Sequence, residues 1–187
     1  MHYSIYTPAE DSFLISEFIS KLIPGTLKKN PFAKFIEIGS GSGINLETAL
    51  KSGIKKQNIF SCDINSKAVS HCKSLGFNCI KSDLFEKIPK TKFDIIIFNP
   101  PYLPEDKNYS EPKYSKVTTT GGKYGYEITK KFLKQSKNYL NKTGFILLIA
   151  SSLAKKIDFS DFGYLSKELC EKRLFFEKLF LWKLTLK

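Results

Sequence analysis

Apolar and polar positions along this chain repeat with two different periods, and the two alternate. "TPAEDSFLISEFISKLIPG" has the helical spacing of an amphipathic helix that begins near Asp11. "KFIEIG" then reads as a strand, "INLETALKSG" as a helix closed by Gly53, and "NIFSCDI" as a second strand. "SKAVSHCKSLG" is a helix with Ser66 as its expected N-cap and Gly76 just past its end. "FNCIKSD" gives a short third strand and "FDIIIFN" a fourth, whose unbroken apolar run Ile95 to Phe98 fits burial on both faces. Residues 103–123 are polar and carry Pro and Gly, so they read as a long loop. After it come a helix, "YEITKKFLKQSKNYL", and a fifth strand, "GFILLIA". In the tail, "YLSKELCEKRL" and "KLFLWKLTL" alternate with period two, as a closing antiparallel hairpin does.

Alternating strands and helices with right-handed crossovers make an α/β fold. The expectation is one domain over 1–187, with residues 1–33 as an N-terminal helical segment and 103–123 as a loop on the substrate side. Its sheet is mostly parallel and seven-stranded, ends in the antiparallel hairpin, and has helices on both faces. Ligands bind such sheets at the carboxyl ends of the strands, which gathers the ends of strands one, two and four onto one edge.

Composition narrows the function only slightly. No apolar run approaches the ~20 residues of a membrane helix. "MHYSIYTPAEDSF" lacks the basic and apolar regions of a secretory signal, so a cytoplasmic protein is expected. The net charge of +12 invites nucleic acid, but Arg173 is the single arginine among 30 basic residues, and the lysines are spread along the whole chain. Bidentate recognition of phosphate and guanine favours arginine, so the charge does not require a nucleic-acid partner. Cys62, Cys72, Cys79 and Cys170 form no C-x-x-C pair, and His2 and His71 are isolated, which gives no metal site.

Two stretches carry chemistry. "EIGSGSG" follows the first strand, and Gly39, Gly41 and Gly43 let a ligand approach the main chain. Ile44 stands where a dinucleotide fingerprint has its third glycine. Glu37 puts a carboxylate at the end of a buried strand, which is unfavourable unless something pairs with it. Asp63 ends the second strand and can accept both hydroxyls of a ribose; Asp83 can accept from an adenine amino group or serve as a plain turn residue. A carboxylate-lined pocket suits S-adenosylmethionine, which has no phosphate and carries a sulfonium cation, better than a pyrophosphate cofactor.

"NPPY", Asn99 to Tyr102, ends the fourth strand. Its prolines fix φ and remove two donors, leaving a stiff corner that presents carbonyls. The Asn99 side-chain oxygen and the Pro100 carbonyl can accept both hydrogens of a planar –NH2 group. Tyr102 can lie against the flat face of that group or against the sulfonium, a contact of ~0.5–2 kcal/mol.

"EIGSGSG", "CDIN", "SDLF" and "NPPY" resemble the motifs of class I S-adenosylmethionine-dependent N-methyltransferases that act on planar –NH2 groups. "IYTPAEDSFLISEFI", "GGKYGYEITKKFL" and "KRLFFEKLFLWKL" are similar to the short archaeal and eukaryotic HemK2/Mtq2-type branch, the glutamine methyltransferases of translation release factors. The resemblance implies a Rossmann-like fold and a role for each matched position. Ser12 would touch the cofactor, although many relatives have Thr there. Glu37 and Gly39 would contact its methionine part, Asp63 its ribose, and Asp83 and Leu84 its adenine. Asn99, Pro100 and Tyr102 would hold the glutamine amide, with Asn99 also close to the transferred methyl. It further implies the Gly-Gly-Gln loop of a class I release factor as substrate. A zinc-binding activator of the Trm112 type would pair with the edge strand Phe77–Lys81. The chain departs from the family at "LAKKIDFSDFG", where a full helix is usual. Two rivals stay open: an adenine-N6 methyltransferase on DNA or RNA, and a non-catalytic subunit with the same fold.

Overall fold

A computed structural model describes residues 5–106 and 118–187; residues 1–4 and the part of the 103–123 loop from 107 to 117 lie outside them. The first helix, α1 (Glu10–Lys29), runs five residues past Pro24. Proline gives up one backbone donor there, but Ile23 is in the core and Leu27 packs against it, so tertiary packing carries the helix on. The succession β1 (Phe35–Ile38), α2 (Ile44–Lys51), β2 (Ile59–Asp63), α3 (Ser66–Ser74), β3 (Asn78–Lys81) and β4 (Phe93–Phe98) follows the hydrophobic pattern. Within the expected loop, β5 (Leu103–Pro104) pairs in parallel with β6 (Thr120–Gly122). Then come α4 (Glu127–Ser136), β7 (Leu140–Ser151), β8 (Tyr164–Arg173) and β9 (Lys178–Leu186).

Three boundaries differ from the sequence reading. Asn65, not Ser66, caps α3: Asn65 is extended and its side chain accepts from the Lys67 N–H at 3.0 Å, which leaves Ser66 as the first helical residue. The fourth helix stops at Ser136 instead of running through Leu140. Leu140 instead begins β7 and pairs with Phe93 across a register shift, because its side chain belongs to the core under the sheet. In keeping with the departure read from the sequence, "LAKKIDFSDFG" holds only a single 3-10 turn, Phe159–Phe162.

The seven-stranded sheet has the order β3-β2-β1-β4-β7-β9-β8. Its first five strands are parallel, and β9 and β8 join antiparallel, as the tail pattern predicts. Side chains alternate between two apolar layers. Leu14, Ile15, Ile19 and Ile23 of α1 pack with α2, α3 and one face of the sheet. Phe132 and Leu133 of α4 pack with Phe85, Phe159 and Tyr164 on the other face. The chain turns one way from β1 to β2 and β3, then crosses to β4 on the opposite side of β1. That reversal opens a crevice at the carboxyl ends of β1 and β4. Among the described residues no helix is long and apolar enough to cross a membrane.

Candidate active site

The crevice is a cleft of about 860 Å³. It is walled by the glycine loop, the ends of β2 and β3, the Asn-Pro-Pro-Tyr corner, the first turn of α1, and Glu177 from the hairpin. Gly39, Gly41 and Gly43 all have positive φ (71°, 48° and 79°), so the loop folds as it does only with glycine. The Gly39 and Ser40 N–H groups donate to the Cys62 carbonyl, which fastens the loop to β2.

Glu37 alternates onto the α1 and α2 side of β1 and is 2% exposed. The Asn45 amide donates to its Oε1 at 2.7 Å, and the Ser16 hydroxyl in turn donates to the Asn45 oxygen at 2.8 Å, which orients that amide. Glu37 Oε2 is buried without a hydrogen-bond partner. Burial pushes the Glu37 carboxyl up to about 8, with the Asn45 bond working against the shift. Among the described residues Asn99 Oδ1 is the second buried side-chain oxygen without a partner, and both residues line the cleft. Two orphaned acceptors in one crevice are unfavourable by ~1–3 kcal/mol each until a donor or a cation arrives.

Asp63 is fixed by the backbone. Its Oδ2 accepts from the Gly41 N–H at 2.9 Å and its Oδ1 from the Asn65 N–H at 2.8 Å. Burial raises its pKa, and these backbone donors counter the rise. Asp83 lines the cleft, but its half-exposed carboxylate is paired with Lys131 at 2.7 Å. Leu84 beside it takes a positive φ of 48° and is buried. Ser12 is buried at the cleft, with its N–H donating to Asp11 Oδ1 at 2.6 Å.

Asn99, Pro100 and Tyr102 line the same space, so all the residues singled out in the sequence except Gly43 stand on the wall of one cleft. Gly43 instead begins α2 behind the loop, where an added Cβ would come within 3.2 Å of Leu75. The corner is braced from behind by Gly121 and Gly125. A Cβ on Gly121 would sit 2.4 Å from the Pro101 carbonyl oxygen, and one on Gly125 would sit 2.3 Å from that of Tyr102. The backbones meet so closely that no side chain fits between them.

Several site residues were not visible in the sequence. Asp11 is buried and accepts from the Tyr6 hydroxyl at 2.9 Å and the Tyr102 hydroxyl at 3.4 Å, which ties the N-terminal segment to the Asn-Pro-Pro-Tyr corner. Burial and the Asp11 charge raise both tyrosine pKa values, so both hydroxyls stay protonated donors. Asn45 and Ser16 belong to helical patterns whose polar positions look like ordinary surface. Glu177 follows two exposed phenylalanines and nothing local marks it. Only the fold brings these residues to the cleft.

A parallel sheet that reverses at β1 and β4, with a carboxylate-lined cleft there, defines the class I methyltransferase fold. Two family models match: the methyltransferase small domain over residues 17–112, and the Eco57I restriction-modification methylase over residues 76–173. A putative protein N5-glutamine methyltransferase of Methanocaldococcus jannaschii is 36% identical over 159 residues, covering 82% of this chain and 75% of that protein. The eRF1 methyltransferase catalytic subunit mtq2 of Schizosaccharomyces pombe is 30% identical over 168 residues, covering 78% and 72%. The solved Mtq2-Trm112 complex of E. cuniculi has the same fold, with a TM-score of 0.67 and 20% identity over 98% of this chain and 99% of that one. The chain spans less than half the length of a bacterial release factor glutamine methyltransferase, 44% of the one from Fusobacterium nucleatum. It belongs to the HemK2/Mtq2-type family of N5-glutamine methyltransferases, S-adenosylmethionine-dependent enzymes.

Proposed function

We propose that this chain, acting as one domain in the cytoplasm, methylates the side-chain amide nitrogen of the glutamine in the Gly-Gly-Gln loop of a class I translation release factor. One observation carries the reading: among the described residues the cleft holds two buried side-chain oxygens without partners, Glu37 Oε2 and Asn99 Oδ1. A cationic methyl donor and a planar –NH2 group together answer both.

S-adenosylmethionine supplies an electrophilic methyl group on a sulfonium. Ser12 would touch it at the first turn of α1, and Glu37 and Gly39 would take its amino-acid end. Asp63, already clamped by two backbone donors, would accept from the ribose hydroxyls through its remaining lone pairs. Leu84 would pack on the adenine; Asp83 would accept from its amino group, sharing its carboxylate with Lys131. Gly41 supports Asp63, and Gly43 starts α2 behind it. The amide nitrogen is a weak nucleophile because its lone pair is delocalised. Asn99 Oδ1 and the Pro100 carbonyl would accept its two hydrogens, raise its electron density and aim it at the methyl group. On transfer the amide nitrogen would give up one of the two hydrogens held by Asn99 Oδ1 and the Pro100 carbonyl, which would leave as a proton to water. Tyr102, held by Asp11, would form the wall against the amide plane.

A zinc-binding activator of the Trm112 type would add to the edge strand β3. That strand is short, with Cys79 and the preceding Phe77 buried. The match to the Eco57I restriction-modification methylase model favours a second reading, transfer to nucleic acid, where the same corner would take an adenine N6 amino group. Against it, a duplex base must first be flipped and its sequence read, and Arg173 is the chain's single arginine.

The test offers methyl-labelled S-adenosylmethionine, with and without a Trm112-type protein, to three substrates in parallel. These are a class I release factor, the same factor with its loop Gln changed to Ala, and adenine-containing DNA. Label on the first alone is expected. Label on DNA overturns the substrate assignment, and no binding of S-adenosylmethionine returns the chain to a non-catalytic subunit.

A further inference from the structure

Nine large apolar side chains are exposed among the described residues, and five of them, Phe13, Tyr124, Leu153, Phe175 and Phe176, belong to segments that border the cleft or are tied to those that do. Phe175 and Phe176 form the tip of the β8–β9 hairpin and are 94% and 84% exposed. Their rings touch edge to face at 4.7 Å. The turn is closed by the Leu174 N–H donating to the Glu177 carbonyl at 2.8 Å, and Leu174 packs on the core below. The tip is thus anchored and presents both rings outward from a rigid turn. Nothing in the fold requires aromatics there, because a tight turn forms better from Gly, Asn or Asp.

The tip stands on the rim of the active site. Glu177, the next residue, lines the cleft and accepts from the Ser151 hydroxyl at 2.5 Å. Lys172 of β8 pairs with Glu10 in the first turn of α1, so Phe13, three residues on, shares that edge. The Ser152 N–H donates to the Lys178 carbonyl, which places Leu153 beside the base of the hairpin, and the Lys155 N–H donates to Tyr124. Lys123 and Lys155 lie over the Tyr124 ring at 5.0 and 5.4 Å, so positive charge edges the apolar rim.

We propose that this rim docks the folded body of the protein substrate while its loop glutamine enters the cleft. The inference rests on the function proposed above. The occupant it fits is a folded protein with an apolar patch edged by carboxylates next to the loop. The rim is at the hairpin end of the sheet, and β3, where an activator would add, is at the other end. The two surfaces are therefore separate. Exposed aromatic anchors beside a catalytic mouth raise affinity for the whole substrate and leave the chemistry unchanged.

The experiment compares the wild type with the double variant Phe175→Ser/Phe176→Ser and with Phe32→Ser, a control on an exposed ring before β1. Each is assayed on the whole release factor and on a short peptide carrying the Gly-Gly-Gln loop. The double variant is expected to raise KM for the whole factor about tenfold with kcat within about twofold. Its kinetics on the peptide stay those of the wild type, and Phe32→Ser changes nothing. Unchanged KM for the whole factor overturns the docking surface, including the case where the variant only loses self-association in sedimentation. Equal losses on factor and peptide overturn it too. A wild type that labels neither substrate overturns the proposed function, and the docking surface with it.

Discussion

Glu37 is where function and stability oppose each other most directly. Its carboxyl is buried, with one partner, Asn45, and an orphaned second oxygen. Unfolded, it would lose its proton near 4.5; folded, burial holds the proton to about 8. Between those values the folded state binds more protons, so Glu37's contribution to stability is lost as pH rises through this window and stays level above it. A cation bound beside Glu37 favours the charged form, so S-adenosylmethionine should release a proton on binding at pH 7. Calorimetry in buffers of different ionisation enthalpy will read that proton in the wild type and not in Glu37→Gln. The same variant should raise Tm by roughly 2–6 °C and weaken cofactor binding more than about tenfold. Asn99→Ala should leave cofactor binding nearly intact and lower kcat at least about 10²-fold, as removal of a positioned polar group in an active site does. If Asn99→Ala transfers at the wild-type rate, the two-acceptor corner does not act as described. Both residues were legible in the sequence because each breaks a local rule: a charge ends a buried strand, and an asparagine precedes two prolines. Asp11, Asn45 and Glu177 break none, and their roles appear only when distant elements meet.

At the level of elements, the Asn-Pro-Pro-Tyr corner is held from two sides. Asp11 of α1 takes the Tyr102 hydroxyl, and Gly121 and Gly125 lie against the backbone behind it. Gly121→Ala should therefore displace the corner and cut kcat about 10²-fold, while circular dichroism shows the fold retained; an active Gly121→Ala would mean that the corner tolerates movement. The periodicities located all five parallel strands and the hairpin. They misplaced the ends of α3, α4 and β7, where one cap or one core contact decides. Asn65 and Ser66 are both good caps, and only the backbone geometry chooses between them. Leu140 fits a helix by pattern, yet the core contact beneath β4 takes it into a strand. The sheet's two edges also differ. β8 carries Lys167, Glu168 and Lys172, which discourage pairing, whereas β3 is four residues long and backed by the buried Cys79. If an activator adds at β3, amide exchange over 78–81 should slow when a Trm112-type protein is present and stay unchanged over 164–173. Protection confined to 164–173 would put the partner on the other edge.

For the whole molecule, a charge of +12 and the match to a restriction-modification methylase can both be read as signs of nucleic acid. The arrangement of the molecule points instead to protein. The first turn of the N-terminal helix and Glu177, next to the exposed Phe175 and Phe176 of the hairpin tip, both line the cleft. On this reading the mouth admits a glutamine amide and no other –NH2. The most direct measurement follows the label from methyl-labelled S-adenosylmethionine through acid hydrolysis of the modified release factor. N5-methylglutamine breaks down to glutamate and labelled methylamine, which becomes volatile when the hydrolysate is made alkaline; all the label is expected to leave in that form, and none to be incorporated when the loop Gln is Ala. Label retained as methyllysine, or found in N6-methyladenine on nucleic acid offered in parallel, would contradict it.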